Sequence, residues 1–383
     1  GLVVQLTSYE VWGAVLIVPV LTTLTLVALR FVLRRDLRSL YRIFAVGFVL
    51  KMIGVVARFY VYSNVYNGVG DAGFYYGRGL GVAAGIRSGD RGILHLIPWA
   101  RELKFVIRLT GSVLTFTGPT KLGATFVFGT LGYWGAVLLV LAAHRAVPGL
   151  DLRRYAWLCM VAPSLVYWPS SIGKEAWVLL SIGTFSLGMA RLLTGQRRLI
   201  GLALVLAGSL GIGAVRLHLL AILLAGSAGA LLQLAVAPPR SSRSRRRGGT
   251  LLLATISTGV MVAIAFAAAR TLKLSTGGAD IFGNLDAAIG KTTTITKIGG
   301  STFDTVDTRN PLKWPWAIFR TLTRPFPTEV SNPLALLTAI ESNVFLVALV
   351  ATIWRTRVRR LVATFRQAPY LAYTTTCTRS EEH

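Results

Sequence analysis

The chain has 383 residues, of which 53% are hydrophobic and only 15% charged, and its mean hydropathy is +0.60. Soluble domains carry charge on about a quarter of their residues, whereas here the apolar residues gather in blocks of about 20, the length that crosses a bilayer core of about 30 Å. A soluble enzyme and a disordered chain are thereby excluded, and two cysteines, Cys159 and Cys377, are too few for a disulfide framework and read as free thiols.

The predicted fold is all-α: a polytopic integral membrane protein in which residues 1–383 form a single transmembrane domain. The apolar blocks run over residues 11–33, 41–62, 122–143, 155–169, 172–193, 199–215, 217–237, 250–270 and 334–354, an expectation of about nine spans. A net charge of +26 would suggest nucleic acid in a soluble chain, but its placement here argues for no nucleic-acid partner. The basic residues cluster at alternate span ends, at Arg30–Arg42, Arg145–Arg154, Arg191–Arg198, Arg240–Arg247 and Arg355–Arg360. Short loops rich in arginine stay cytoplasmic. In a nine-span chain all five clusters fall on one side, which puts the N-terminus outside, the C-terminus inside, and the protein in a plasma (inner) membrane as a multi-pass component. The basic loop 238–249 is then cytoplasmic, while 11 of the 15 acids lie on or just below the outer face.

The first outer loop, residues 63–120, contains "GVGDAG", formally a G-x-G-x-x-G. It follows a membrane helix rather than a βαβ strand, so a dinucleotide site is excluded and the glycines serve a turn at the membrane surface. Asp71, Tyr75 and Arg78 then fall on one face of a short helix, as a catalytic and substrate-binding set or as an acidic cap with solvated neighbours. Within "GILHLIPWARELKFVIRL", Arg101, Lys104 and Arg108 oppose Trp99, Leu103, Val106 and Ile107, the pattern of an amphipathic helix in the interface plane.

In "APSLVYWPSSIGKEAWVLL", Pro163 and Pro169 interrupt a short span, and Ser170 or Ser171 caps a helix whose first turns hold Lys174 and Glu175. A helix N-terminus offers free N–H groups to anions, and charges at membrane depth are functional suspects. The alternative is a snorkelling Lys174 with Glu175 stabilising the helix dipole. Arg216 and His218 occupy a very short apolar turn, where such a pair is costly unless it meets an anion or an acid.

The long outer loop, residues 271–333, exceeds a passive connector. Its "IGKT" at Ile289–Thr292 fails as a phosphate loop because Leu285 stands where the motif needs glycine. Its second half, "NPLKWPWAIFRTLTRPFPTEVSNP", predicts an interfacial helix presenting Arg320 and Arg324 at i, i+4 beside Glu329. Anchoring by Trp314, Trp316 and Phe319 explains the same residues.

On these features, the acidic first outer loop, "PSSIGKEA", the basic turn and the long loop with "RPFPTE", the chain resembles bacterial multispanning polysaccharide-biosynthesis proteins, including Wzy-type polymerases and, more distantly, GT-C glycosyltransferases. The GT-C resemblance implies Asp71 as base or near-base, although that acid here follows the second span rather than the first. The Wzy resemblance implies outer-loop arginines, pointing to Arg216, Arg309, Arg320 and Arg324.

Transfer from a polyprenyl diphosphate needs a cationic cradle for the leaving group and a carboxylate to take the acceptor's proton. Lys174, Arg216, Arg320 and Arg324 fit the first role, and Asp71, Glu175 or Glu329 the second. No His, Cys and carboxylate cluster is apparent, so neither a metal nor another cofactor is expected. The expected partners are a lipid-linked sugar, membrane lipids and other polysaccharide-assembly proteins. A transporter or flippase with a path lined by Lys174, Glu175, Arg216 and His218, or a non-catalytic synthase subunit, are the competing classes.

Overall fold

The computed structural model describes residues 9–33, 35–68, 70–89, 102–236, 333–355, 370, 371, 373 and 374. Among them the secondary structure is entirely helical. The elements are α1 (Tyr9–Val32), a 3-10 turn (Arg35–Leu40), α2 (Tyr41–Tyr60) continued by a π turn (Val61–Val65), α3 (Asp71–Arg87) and α4 (Glu102–Thr117). They continue with α5 (Lys121–Ala146), α6 (Leu152–Val161), α7 (Pro163–Tyr167), α8 (Lys174–Thr194), α9 (Arg198–Gly213), α10 (Leu217–Val236) and α11 (Pro333–Arg355).

Four helices among the described residues are long and apolar enough to cross a membrane: Glu10–Val32, Leu37–Val65, Lys121–Ala146 and Lys174–Thr194. At 1.5 Å per residue they reach roughly 31 to 44 Å. The block at 199–215 is a helix of 16 residues, Arg198–Gly213. The block at 155–169 is two short helices, α6 and α7, separated at Ala162. Pro163 opens α7 because proline fits a first helical turn but cannot continue a preceding helix. The blocks at 217–237 and 334–354 coincide with α10 and α11, whereas 250–270 lies outside the described residues.

The chain divides into two compact units, one comprising Gly1–Leu220 with Gln367–Tyr373, the other Ala221–Arg366 with Thr374–His383. In the second unit, Ser227 Oγ donates to Leu223 O at 2.7 Å and Asn343 Nδ2 to Ala339 O at 2.8 Å, so polar side chains on apolar helices α10 and α11 are satisfied by their own backbone.

The first unit is organised around α5, which is buried along most of its length, with Gly129, Gly132 and Gly135 on its packed faces. A Cβ on Gly135 would lie 2.5 Å from the backbone of Leu179, so α5 and α8 meet backbone to backbone. Small residues of this kind permit close crossing where both helices are apolar and the hydrophobic effect between them is weak. α8 in turn packs on α9, whose Gly208 faces Phe185. Ser186 and Tyr373 share a hydrogen bond of 3.0 Å against the same helix, with the Tyr373 ring stacked on Phe185.

Contacts along the helices fix their directions. Gly47 meets Met160, Gly54 meets Val166, and Arg58 meets Tyr167 and Trp168, so α2 runs alongside α6 and α7 in the same sense. Lys121, at the start of α5, lies 3.8 Å from the ring centroid of Tyr62, at the end of the second long helix. Arg145, near the end of α5, bonds to Gln196 just past the end of α8. One end of the unit therefore collects the end of α2 and the starts of α5 and α8; the other collects Arg145, Arg191 and Arg197.

The N-terminus of α5 is closed by two side chains. Thr120 Oγ1 accepts from Gly123 N at 3.0 Å, and Glu10 Oε2 accepts from Leu122 N at 2.8 Å. A carboxylate there satisfies an otherwise free donor and opposes the positive end of the helix dipole. Glu10 thus has a structural task.

Candidate functional site

The site lies where α2 ends, α8 begins and α9 ends. Glu175 occupies the second position of α8, and Arg216 follows the end of α9; Arg216 Nη2 donates to Glu175 Oε1 at 3.3 Å, both side chains being more than a third exposed. The other oxygen, Oε2, lies over Gly173, the residue that caps α8. Serine was expected to cap this helix. Ser170 instead donates back to Val166 O, and Gly173 stands at the cap in extended conformation. Trp177 Nε1 donates to Gly211 O at 2.9 Å, holding the start of α8 to the end of α9 and so fixing the spacing of the Glu175–Arg216 pair.

Two cations in α2 complete this end, and neither was singled out from the sequence. The Arg58 guanidinium sits 4.9 Å from the ring centroid of Tyr167 and 4.8 Å from that of Trp168. It is also within electrostatic reach of Glu175 and Tyr66. The two rings meet edge to face, 5.6 Å between centroids, and together with a side-chain hydrogen bond to Tyr167 they orient the guanidinium. Seven residues earlier on the same face, Lys51 is only 3% exposed, and its Nζ donates to Leu165 O at 2.7 Å and Val166 O at 3.2 Å. Those carbonyls belong to the short helix α7, where the broken backbone needs donors from outside the segment. Gly54 and Gly132 give it room: a Cβ on Gly54 would lie 2.8 Å from Val166 O, and one on Gly132 would lie 2.9 Å from Pro169 O. The signal in the sequence was a Lys and an Arg two helical turns apart inside an apolar run.

The segment holding α3 and α4 is joined to this end by a ring contact. Phe105 of α4 lies 5.2 Å from Trp177. α4 packs on α3 through Thr110 and Gly111 against Gly79 and Val82. Arg87 Nη2 donates to Leu114 O at 2.7 Å and Thr115 O at 3.1 Å, supplying donors to carbonyls near the end of α4. Within the described part of this segment Val106 is fully buried and Lys104 exposed, but Leu103, which the helical wheel puts on the apolar face with Val106, is exposed as well.

Of the other sequence-derived residues, Asp71 is the exposed first residue of α3, with Gly70 at the cap in a backbone conformation (φ +147°) that favours glycine. Among the described residues no ion pair or hydrogen bond joins Asp71 to Glu175 or Arg216. Tyr75 is 2% exposed and belongs to the α3 packing surface rather than to an open face, while Arg78 is exposed, with its guanidinium 5.8 Å from the Phe74 ring centroid. Lys174 is the first residue of α8, half-buried beside Glu175. His218 lies in the first turn of α10, two residues beyond Arg216. Arg309, Arg320, Arg324 and Glu329 lie outside the described residues. Among the described residues there is no group of three or more His, Cys, Asp and Glu side chains arranged to hold a metal ion.

An apolar cleft of about 660 Å³ opens between α1, α2 and α5, lined by residues including Val18, Phe48, Met52, Val56 and Phe126. It extends along α2 as far as Tyr60, two residues beyond Arg58. One end of the unit thus combines Arg58, Lys174 and Arg216 near Glu175 with an open apolar cleft alongside, a set suited to an amphiphile with an anionic head. Compared with known proteins, the chain matches no family model, no curated protein and no solved structure.

Proposed function

We propose that the protein is an integral membrane glycosyltransferase or polymerase acting at the outer face on polyprenyl-phosphate- or diphosphate-linked sugars of cell-surface polysaccharide. The observation that carries the reading is the cation-rich end of the first unit: Arg58, Lys174 and Arg216 around Glu175, adjacent to a cleft shaped for an apolar tail. The nine-span topology belongs to the same proposal. It puts this end outside and the Arg145–Arg191–Arg197 end in the cytoplasm.

In the proposed step the acceptor hydroxyl oxygen bonds to the anomeric carbon as the bond from that carbon to the phosphate oxygen breaks. The electron pair leaves with the diphosphate, whose charge Arg58, Lys174 and Arg216 stabilise, with Arg320 and Arg324 as further candidates. The hydroxyl proton passes to a carboxylate. Asp71 is the first candidate because it is exposed and not engaged with Arg216; Glu175 and Glu329 follow.

The test is extension of a radiolabelled lipid-linked oligosaccharide by purified, reconstituted protein. Arg216→Ala is expected to cost about one to two decades in rate, from loss of a charge-assisted contact of about 1.5 to 3 kcal/mol. Asp71→Asn should retain donor binding while product falls by about two to four decades. Wild-type extension by Asp71→Asn would move the base to Glu175 or Glu329.

One observation favours a transporter as the second reading. The broken pair α6 and α7, held by the buried Lys51, resembles the discontinuous helices that line transport paths. A transporter would move labelled substrate across a vesicle wall and form no longer product.

A further inference from the structure

The three glycines of "GVGDAG", Gly68, Gly70 and Gly73, lie against one side chain, the ring of Tyr62 in the π turn that ends the second long helix. A Cβ on Gly68 would stand 3.6 Å from Tyr62 Oη, one on Gly70 would stand 3.8 Å from the ring, and one on Gly73 would overlap Oη itself. The first two positions are glycine for their backbone, with φ of +73° and +147°, and the third for the room the ring takes. Tyr62 is engaged with the same loop twice: its carbonyl accepts from Gly68 N at 2.9 Å, and its hydroxyl donates to Gly68 O.

α5 covers the face of this ring. Lys121 Nζ stands 3.8 Å from the Tyr62 ring centroid and 5.6 Å from that of Tyr76 on α3, and Tyr76 Oη donates to Pro119 O at 2.7 Å. A cation is attracted to an aromatic face without a directional bond, so Lys121 gathers the end of the second long helix and the first turns of α3 onto the start of α5. Asp71 lies between Gly70 and Gly73 and opens α3, whose first closing bonds run from Gly73 N and Phe74 N to Gly70 O at 3.1 and 3.3 Å. Where Tyr62 sits therefore decides where the Asp71 backbone sits. π turns are rare and recur at functional sites.

We infer that Tyr62 is a positioning residue for Asp71: the glycines form a socket for its ring, Lys121 holds the ring there, and the seated ring fixes the carboxylate-bearing start of α3 for proton transfer. The reaction served is the one proposed above, and the inference rests on that reading; the socket itself does not. In that reading the Asp71 carboxylate meets the acceptor hydroxyl, and Tyr62 acts only through it.

The experiment compares wild type, Gly73→Ala, Tyr62→Phe and the double variant as full-length reconstituted protein. It reads initial rates of extension against the concentration of a radiolabelled lipid-linked oligosaccharide, and hydrogen exchange on the same samples. Alanine suits a helix better than glycine, so Gly73→Ala challenges the socket and not the helix. Misplacing a reacting group by about 1 Å can cost about two decades, and Gly73→Ala should lower kcat by about tenfold or more with donor KM within about twofold. Tyr62→Phe removes the overlapping oxygen but keeps the ring; it should stay within about threefold of wild type, and in its presence Gly73→Ala should cost less than about threefold. On an Asp71→Asn background Gly73→Ala should lower the residual rate by less than about twofold, since the group it displaces is already gone. A loss from Gly73→Ala that is the same with and without Tyr62→Phe, the same with and without Asp71→Asn, or absent altogether would overturn the inference. Were the wild type to extend nothing, the proposed reaction would fall and exchange would decide the socket. The amides of Gly68 and Phe74 should then exchange at least about tenfold faster in Gly73→Ala and regain the wild-type rate on adding Tyr62→Phe, and unchanged exchange would overturn the socket as well. Should Gly73→Ala fail to fold, Tyr62→Leu, which empties the socket without adding an atom to it, carries the same comparison against Tyr62→Phe.

Discussion

Replacing Lys51 by methionine separates what this buried cation does for folding from what it does for the site. Methionine keeps the length and apolar bulk of the side chain but removes the ammonium. In the native protein Nζ donates to Leu165 O at 2.7 Å and Val166 O at 3.2 Å. Val166 O also accepts from Ser170 Oγ, so Leu165 O is the acceptor that loses most. Hydrogen bonds from a charged donor contribute about 1.5 to 3 kcal/mol each, or about 3 to 6 kcal/mol for the pair if they add. Against that stands the desolvation of an ammonium only 3% exposed, a cost of several kcal/mol that the substitution relieves. The two nearly cancel, so global stability should change by no more than about 2 kcal/mol. Positioning should not survive: residues 162–173 carry Tyr167 and Trp168, which hold Arg58, and lead directly into Glu175. Hydrogen exchange is the assay. Amides of this segment should exchange at least tenfold faster in Lys51→Met, while those of α5 and α8 stay protected. Unchanged exchange at 162–173 with an unchanged unfolding midpoint would refute the tether.

Other substitutions test the remaining parts. Gly135→Val would press a side chain into the Leu179 backbone only 2.5 Å away, and loss of folded protein by at least about 3 kcal/mol is expected in a denaturant titration. Arg58→Lys should weaken binding of lipid-linked donor by a few-fold, because an ammonium keeps the charge but not the planar fork that packs on Tyr167 and Trp168; a binding isotherm checks it. Glu10→Ala should lower stability by about 1 kcal/mol through loss of the bond to Leu122 N, read in the same titration. Cysteines placed near Thr293 should be modified by a membrane-impermeant reagent from outside, and those near Ser242 spared; the reverse pattern would turn the proposed site toward the cytoplasm.

Long apolar runs were the most legible part of the chain, because a period of 20 residues needs no partner to be recognised: all four long helices start and end within about four residues of blocks seen in the sequence. The break between α6 and α7 was announced by Pro163, but the cation that makes the break tolerable lay in another helix and emerged only from packing. Lys51 and Arg58 escaped notice because their run was read by its mean hydropathy, although two cations seven residues apart in a membrane helix are themselves a signal. Glu175 and Arg216 were both singled out, and their pairing follows from the α8–α9 hairpin, whose Trp177–Gly211 bond no spacing rule predicts. Tyr75 illustrates the converse: a helical wheel groups it with Asp71 and Arg78, yet the choice of buried face depends on where α4 docks, and Tyr75 ends in the core while the other two are exposed.

We propose that the cation-rich end around Glu175 and Arg216 performs glycosyl transfer on lipid-linked sugars. Its most direct test is a side-by-side measurement of polymer extension and donor binding by reconstituted wild-type protein, Arg216→Ala and Asp71→Asn. Longer lipid-linked product is expected from the wild type, weaker donor binding with Arg216→Ala, and donor binding without product from Asp71→Asn. Labelled substrate crossing the vesicle wall with no longer product from the wild type would contradict it.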